Sequence, residues 1–148
     1  MKVNFKLNSP CASLPGYAHE DDAGVDITST ETIVIQPKQA MIIPTGLSVE
    51  MSLGFILKWF FKPVMILKSR SGLACKNRLE VGAGVIDKGY TGEIKVLLHN
   101  HGSFPYTVHV GDKICQAVFH TIPKVKVGRC INLSSSVRGD NGFGSTDK

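Results

Sequence analysis

The sequence contains no apolar run long enough to span a bilayer. Its greasiest stretch, Leu53 to Leu67, is too short and is interrupted by Lys58, Lys62 and Pro63, so no membrane partner is expected. It also lacks any C-x-x-C pair, because its four cysteines (Cys11, Cys75, Cys115 and Cys130) stand far apart. That spacing argues against a disulfide scaffold and a cysteine-built zinc site, and reads as reduced thiols in an intracellular, cytoplasmic protein. Met1 to Leu7 alternates apolar and polar residues where a secretory signal would carry an apolar block. Neither a G-x-S-x-G elbow nor a G-x-x-x-x-G-K loop occurs, which argues against a serine hydrolase and a Walker-type nucleotide site. Lysines are scattered from Lys2 to Lys148 without a run or an interleaved aromatic platform. The net charge of +5 therefore fits a small polyanion or a soluble basic surface, and no nucleic-acid partner is expected.

What is present points to a β protein. A chain of 148 residues has room for one domain and a short tail, and folding at this size buries about 70% of the unfolded surface. Fifteen glycines and seven prolines supply turns. Short segments of β character follow one another: Val3–Leu7, Thr32–Gln36, Met41–Pro44, Leu47–Met51, Gly54–Phe61, Val64–Leu67, Glu93–His99, Tyr106–Val110, Lys113–Thr121 and Lys124–Ile131. Pro37-Lys38, Thr45-Gly46, Lys88-Gly89, His101-Gly102 and Gly111-Asp112 punctuate them. The pattern predicts an all-β sandwich or barrel with one short helix over Ser71–Lys76, capped by Ser71. Residues 1–133 form the expected domain, and from Ser134 the text S-S-S-V-R-G-D-N-G-F-G-S-T-D-K has little to bury and is expected to be a mobile tail.

Several segments can carry chemistry, each with a plainer alternative. In Val85-Ile86-Asp87-Lys88-Gly89-Tyr90, a carboxylate at a strand end can orient and deprotonate a water, or simply cap a turn. Gly82-Ala83-Gly84 uncovers backbone for a ligand, or makes a tight bend. Ser69-Arg70-Ser71-Gly72 groups a guanidinium, a hydroxyl and helix-start N–H groups suited to phosphate, or is an ordinary capped turn. In the tail, Phe143 between glycines can lie on a planar ring while Arg138, Ser145 and Thr146 donate to anionic oxygens. Asp22 to Asp26 and Gly111 to Gln116 place acids beside glycine turns, which hairpin chemistry also explains. His99 and His101 share a strand face, and without a third ligand they read as a surface pair.

Taken in order, these segments resemble the motifs of the trimeric dUTPases (dUTP diphosphatases), from about Ala18 to Thr146. The motifs correspond to Asp22–Ile27, Arg70–Ala74, Val81–Glu93, Gly111–Gln116 and Arg138–Thr146. The resemblance implies a homotrimer of distorted jelly-roll or β-barrel subunits with active sites at subunit interfaces, each closed by a partner's tail, here residues 134–148. It implies Mg²⁺-dependent hydrolysis of dUTP to dUMP and pyrophosphate by water attack on the α-phosphorus, keeping uracil out of DNA and supplying dUMP for dTMP synthesis. Asp87 would position the water and Tyr90 would lie under the deoxyribose, excluding a 2′-hydroxyl. The backbone from Val81 through Gly82 to Gly84 would read the uracil edge. Asp26 would hold metal-bound waters. Arg70, Ser71, Gly72 and Gln116 would line the phosphate path. Phe143 and Gly144 would cover the uracil, with Arg138, a second catalytic group, and Ser145 and Thr146 over the γ-phosphate.

The chain departs from the family pattern at some positions. Gly89 stands where an Asp is common, Thr91 where Arg is usual, Ser69 for a frequent Pro, and Asp147 where Gly is usual. Phe55–Met65 looks like an insertion, and its adjacent Trp59, Phe60 and Phe61 are expected to pack in the core or between subunits, with an exposed partner patch as the alternative. The related dCTP deaminases share the fold and an Arg-Ser second motif, but continue that motif with an Arg where this chain has Cys75. A dUTPase-like binding or regulatory module is the non-enzymatic alternative.

Overall fold

The computed structural model describes residues 1–141. Ten strands form the structure. They are β1 (Lys2–Leu7), β2 (Val25–Thr28), β3 (Ile33–Ile35), β4 (Ala40–Ser52), β5 (Phe61–Lys68), β6 (Leu79–Gly82), β7 (Val85–Asp87), β8 (Ile94–Asn100), β9 (Tyr106–Val108) and β10 (Lys113–Pro123). Of these, β2 and β8 show the every-second-residue burial of half-buried antiparallel β-structure most clearly. Two short helices interrupt the strands, α1 (Leu57–Phe60) and α2 (Ser71–Asn77). One sheet has the order β1-β4-β8-β6 and the other β2-β10-β5-β7, with β3 and β9 forming a small ribbon. Both large sheets are antiparallel throughout. Their inner faces share one core, in which Ile27, Met65 and Ile114 from one sheet meet Ile43, Leu47, Val96 and Leu98 from the other. The expected all-β barrel is thus present.

Four local readings are corrected. Met41–Pro44 and Leu47–Met51 belong to one strand, because Thr45-Gly46 is a bulge in the β4–β8 ladder and not a break. Gly46 adopts φ +63°, and a Cβ there would lie 2.8 Å from Ser9 Cβ, so glycine serves both the bend and the close approach. Gly54–Phe61 is not a strand. The β1–β4 ladder ends at Ser52 and the β5–β10 ladder starts at Phe61. Between them the backbone satisfies itself locally, with Lys58 N–H donating to the Gly54 carbonyl and Trp59 N–H to that of Ile56, which winds α1. Trp59 and Phe60 are exposed, so they are not core residues. Lys124–Ile131 is not a strand either: pairing stops at Pro123, and the chain beyond it is exposed.

The helix at Ser71 is present, but Ser71 does not cap it. Arg70 occupies the cap position with extended backbone, and Ser71 opens the helical turn. At its other end Arg78 turns left-handed at φ 56°, its N–H closing on the Ala74 and Leu73 carbonyls. This reversal aims the chain into β6 beside β8. The buried Asn100 of β8 fixes the neighbouring loops by donating to the Ile35 and Phe104 carbonyls and accepting from Gly102 N–H.

Candidate active site

The first, second and fourth motifs converge. Asp26 points from β2 with its carboxylate largely shielded, and it receives two cations: Arg70 Nε at 3.0 Å and Lys113 Nζ at 2.7 Å. Beside this trio lies a cleft of about 210 Å³ lined by Asp22, Gly24, Asp26, Arg70, Ser71, Gly72 and Gln116. The β-ladders explain the meeting, since Gln116 on β10 stands opposite Asp26 on one side and Lys68 on the other. A Cβ on Gly72 would meet no atom within 4 Å, so packing within this chain does not require that glycine. The cleft therefore offers a guanidinium, an amide, a hydroxyl and uncovered backbone at one point, a donor set suited to phosphate oxygens.

Asp22 and Asp112 take the plainer role. Each accepts from a backbone N–H three residues earlier, Asp22 from His19 at 2.9 Å and Asp112 from His109 at 2.8 Å. They are turn acids. Asp87 differs: its backbone carbonyl accepts from Tyr90 N–H, while its exposed carboxylate has no side-chain hydrogen bond among the described residues. It borders a second cleft, of about 190 Å³, with Val85, Ile86, Tyr90 and Lys95. The Tyr90 ring is held in place by its hydroxyl, which donates to the Glu93 carbonyl at 2.8 Å.

Gly84 is explained within the chain. A Cβ there would collide with the Leu67 carbonyl oxygen, whereas one on Gly82 would meet the tip of the His99 side chain at 2.7 Å, which can shift. The tight-bend reading of this segment holds, and Ala83 between them takes φ 47°. The same bend leaves β6 as the outer strand of its sheet, with backbone groups open on one side. Val81 N–H is not among the open groups, because it donates to Ser69 Oγ at 2.9 Å.

The two clefts are far apart. Asp26 and Asp87 sit on β2 and β7, the opposite edges of one sheet, and the residues facing them on the intervening strands are four positions apart along β5. Three strand spacings combined with four residues of rise give about 20 Å between the two backbone positions. One chain does not bring its own Asp87 to its own Arg70. Of the tail residues, Arg138 is exposed and donates to the Asn141 carbonyl within its own segment. Phe143, Gly144, Ser145, Thr146 and Asp147 lie outside the described residues.

The sequence reading gave no role to Lys113, Glu93 or Ser69. Lys113 and Glu93 lie inside motif segments, which was the available signal. Glu93 Oε1 accepts from Gly46 N–H at 2.9 Å, tying the bulge of β4 to the Tyr90 loop. Behind Asp26, Cys115 is buried, and burial foremost, aided by the Asp26 charge against an opposing pull from Arg70, pushes its thiol up to about 12. His99 and His101 stack 5.7 Å apart, and His101 meets Glu80 at 3.1 Å. No group of three metal-ligating side chains occurs among the described residues.

Known proteins resemble this chain along nearly its whole length. The family model described as dUTPase matches residues 11–147. The deoxyuridine 5'-triphosphate nucleotidohydrolase of Clostridium tetani is 42% identical over 148 residues, covering 99% of this chain and 97% of the relative. That of Gloeothece citriformis is 36% identical with the same coverage. Among solved structures, a dUTPase of Staphylococcus bacteriophage 80alpha with dUpNHpp superposes with a TM-score of 0.85 at 28% identity, covering 98% of each chain. The dUTPase from phage phi11 of S. aureus, described as coordinating a structural Mg(II) ion, gives a TM-score of 0.79 at 26% identity, covering 91% of this chain and 100% of that one.

Proposed function

The chain belongs to the dUTPase family, and we propose that its two clefts are complementary halves of one active site, joined when copies of the chain assemble as a homotrimer. The protein is a dUTP diphosphatase that hydrolyses dUTP to dUMP and pyrophosphate. The placement of Asp26 and Asp87 on opposite edges of one sheet is the observation that carries the shared site. A water that attacks the α-phosphorus must touch both its base and the phosphate cradle within hydrogen-bond reach, and only Asp87 of one copy beside Arg70 of another satisfies that.

In this arrangement Arg70, Ser71, Gly72 and Gln116 hold the phosphate chain. Asp87, whose carboxylate has no hydrogen-bond partner among the described residues, orients the water and takes its proton. Tyr90, pinned through its hydroxyl, lies under the deoxyribose and leaves no space for a 2′-hydroxyl. The backbone from Val81 through Gly82 to Gly84 reads the uracil edge, with the Val81 N–H already committed to Ser69 and the Gly84 carbonyl to Leu67 N–H. Arg138, Phe143, Gly144, Ser145 and Thr146 of residues 134–148 close the site over base and γ-phosphate. The proposed setting is cytoplasmic. No helix of the described residues is long and apolar enough to cross a membrane.

Mg²⁺ fits this donor set in one way. Both Asp26 oxygens are engaged by cations, so the carboxylate has lone pairs left for metal-bound water but no open face for direct ligation. Asp26 would hold the metal-bound waters, and a bound Mg²⁺ would neutralise charge on the phosphate oxygens. The deciding experiment measures products. Pyrophosphate release from dUTP is expected, and ammonia release from dCTP without it would identify a deaminase instead.

A further inference from the structure

The dUTP chemistry makes no use of the segment around α1. Phe55, Ile56, Trp59 and Phe60 are 63 to 73% exposed, and α1 buries none of its own residues. The segment is nevertheless fastened. Lys124 N–H donates to the Phe60 carbonyl at 2.8 Å, and Lys124 Nζ to that of Lys58 at 2.6 Å. The result is an aromatic knob fixed to the end of the β5–β10 pair.

Its charge is one-sided. Lys58 Nζ lies 4.5 Å from the Phe55 ring centroid and 6.0 Å from that of Trp59. Lys62 follows in the same segment, and Lys124, Lys126 and Arg129 leave from the same end of the sheet. No acidic residue occurs from Met51 to Leu79, or from Lys113 to Gly139. The two stretches that build this end of the molecule are thus aromatic, aliphatic and cationic, without an internal counter-charge.

We propose that the α1 knob docks on an anionic lipid bilayer surface. Tryptophan and phenylalanine settle at the boundary between headgroups and acyl chains, while lysine stems lie along apolar surface and keep their ammonium groups among anionic headgroups. A second copy of the chain suits the knob less well. Packing it against the same end of another copy would strip water from Lys58 and Lys62 and set them against Lys124 and Lys126, since the exposed Val125 and Val127 there are themselves interleaved with those lysines. The contact is peripheral, consistent with a helix of four residues that cannot span. The strand that α1 leads into pairs at Val64 with Asp87, so dUTP hydrolysis is measured beside binding.

Trp59 is the only tryptophan in the chain, so its fluorescence reports on the knob alone. The full-length protein is titrated with vesicles of phosphatidylglycerol and phosphatidylcholine in equal parts, and with phosphatidylcholine alone. Anionic vesicles are expected to shift Trp59 emission to the blue, to quench it when the acyl chains are brominated, and to sediment the protein, with binding lost at high salt. The double variant Phe55→Ser, Phe60→Ser retains the reporter and is expected to partition about tenfold more weakly or worse, with dUTP hydrolysis unchanged. Three results would each overturn the proposal: no emission change with anionic vesicles, equal binding to neutral ones, or Trp59 emission in lipid-free protein that is already blue-shifted and moves red on dilution. The last would assign the knob to a contact between copies.

Discussion

At the scale of single residues, carboxylates with similar sequence surroundings have different roles. Asp22, Asp87 and Asp112 each lie near a glycine turn, and local chemistry reads all of them as caps. Two are caps, while the Asp87 carboxylate has no hydrogen-bond partner among the described residues. Local text does not separate them, because the distinction arises from where β7 ends in the sheet. Replacing Asp87 with Asn preserves size and removes the basic charge, so kcat is expected to fall about 10²–10⁴-fold. Binding of a non-hydrolysable dUTP analogue should survive, and turnover within a few-fold of the parent would show that another group positions the water. Cys115 gives a second prediction at this scale. Its thiol is held up to about 12 by burial, whereas Cys11, Cys75 and Cys130 are exposed. A thiol reagent at mild alkaline pH should modify the exposed three and reach Cys115 only on unfolding. The sign of the linkage follows. Below the ordinary thiol range Cys115 is protonated in both states and contributes no pH dependence. Above about 9, only the unfolded chain releases the proton, so stability should decline as pH rises from there towards about 12. Urea titrations at several alkaline pH values, compared with Cys115→Ala, test this.

Among the elements, legibility depended on partners. Long alternating segments such as β8 and β10 were readable because each side chain's destination repeats every second residue. The short β2 and β6 were not called strands. Asp26 in β2 looked like turn chemistry, and Glu80 and Gly82 weaken the pattern of β6; both become strands through ladder pairing with β10 and β8. The reverse error, at Lys124–Ile131, has the same cause: the alternation is there but no neighbouring strand is. Ser69 shows how a departure from the family pattern is accommodated. Where proline is frequent, its hydroxyl accepts from Val81 N–H and its carbonyl from Gln116 Nε2 at 3.4 Å, so the end of β5 holds both β6 and the phosphate cleft. Ser69→Ala should leave the Val81 N–H without its partner and destabilise the fold by about 1 kcal/mol, lowering Tm by about 2–4 °C. An unchanged melting curve would mean that water replaces the hydroxyl without loss.

For the whole molecule, the distance between the edges of one sheet governs behaviour. Because Asp26 and Asp87 stand on opposite edges, the proposed assembly uses each chain in two different sites, as cradle in one and as base in another. Chains carrying only Asp87→Asn, or only Arg70→Ala, should each be inactive. Unfolded together in equal amounts and refolded, they should regain roughly one intact site in four, since random closed assembly pairs a sound Asp87 with a sound Arg70 that often. No recovery, with light scattering that finds a trimer, would place both halves on one chain; a monomer at assay concentration would remove the shared site altogether. Seen from the side of heredity, this sheet makes two faulty alleles capable of mending one another. A chain with both substitutions, by contrast, spoils two sites in every assembly it enters, and its harm is dominant.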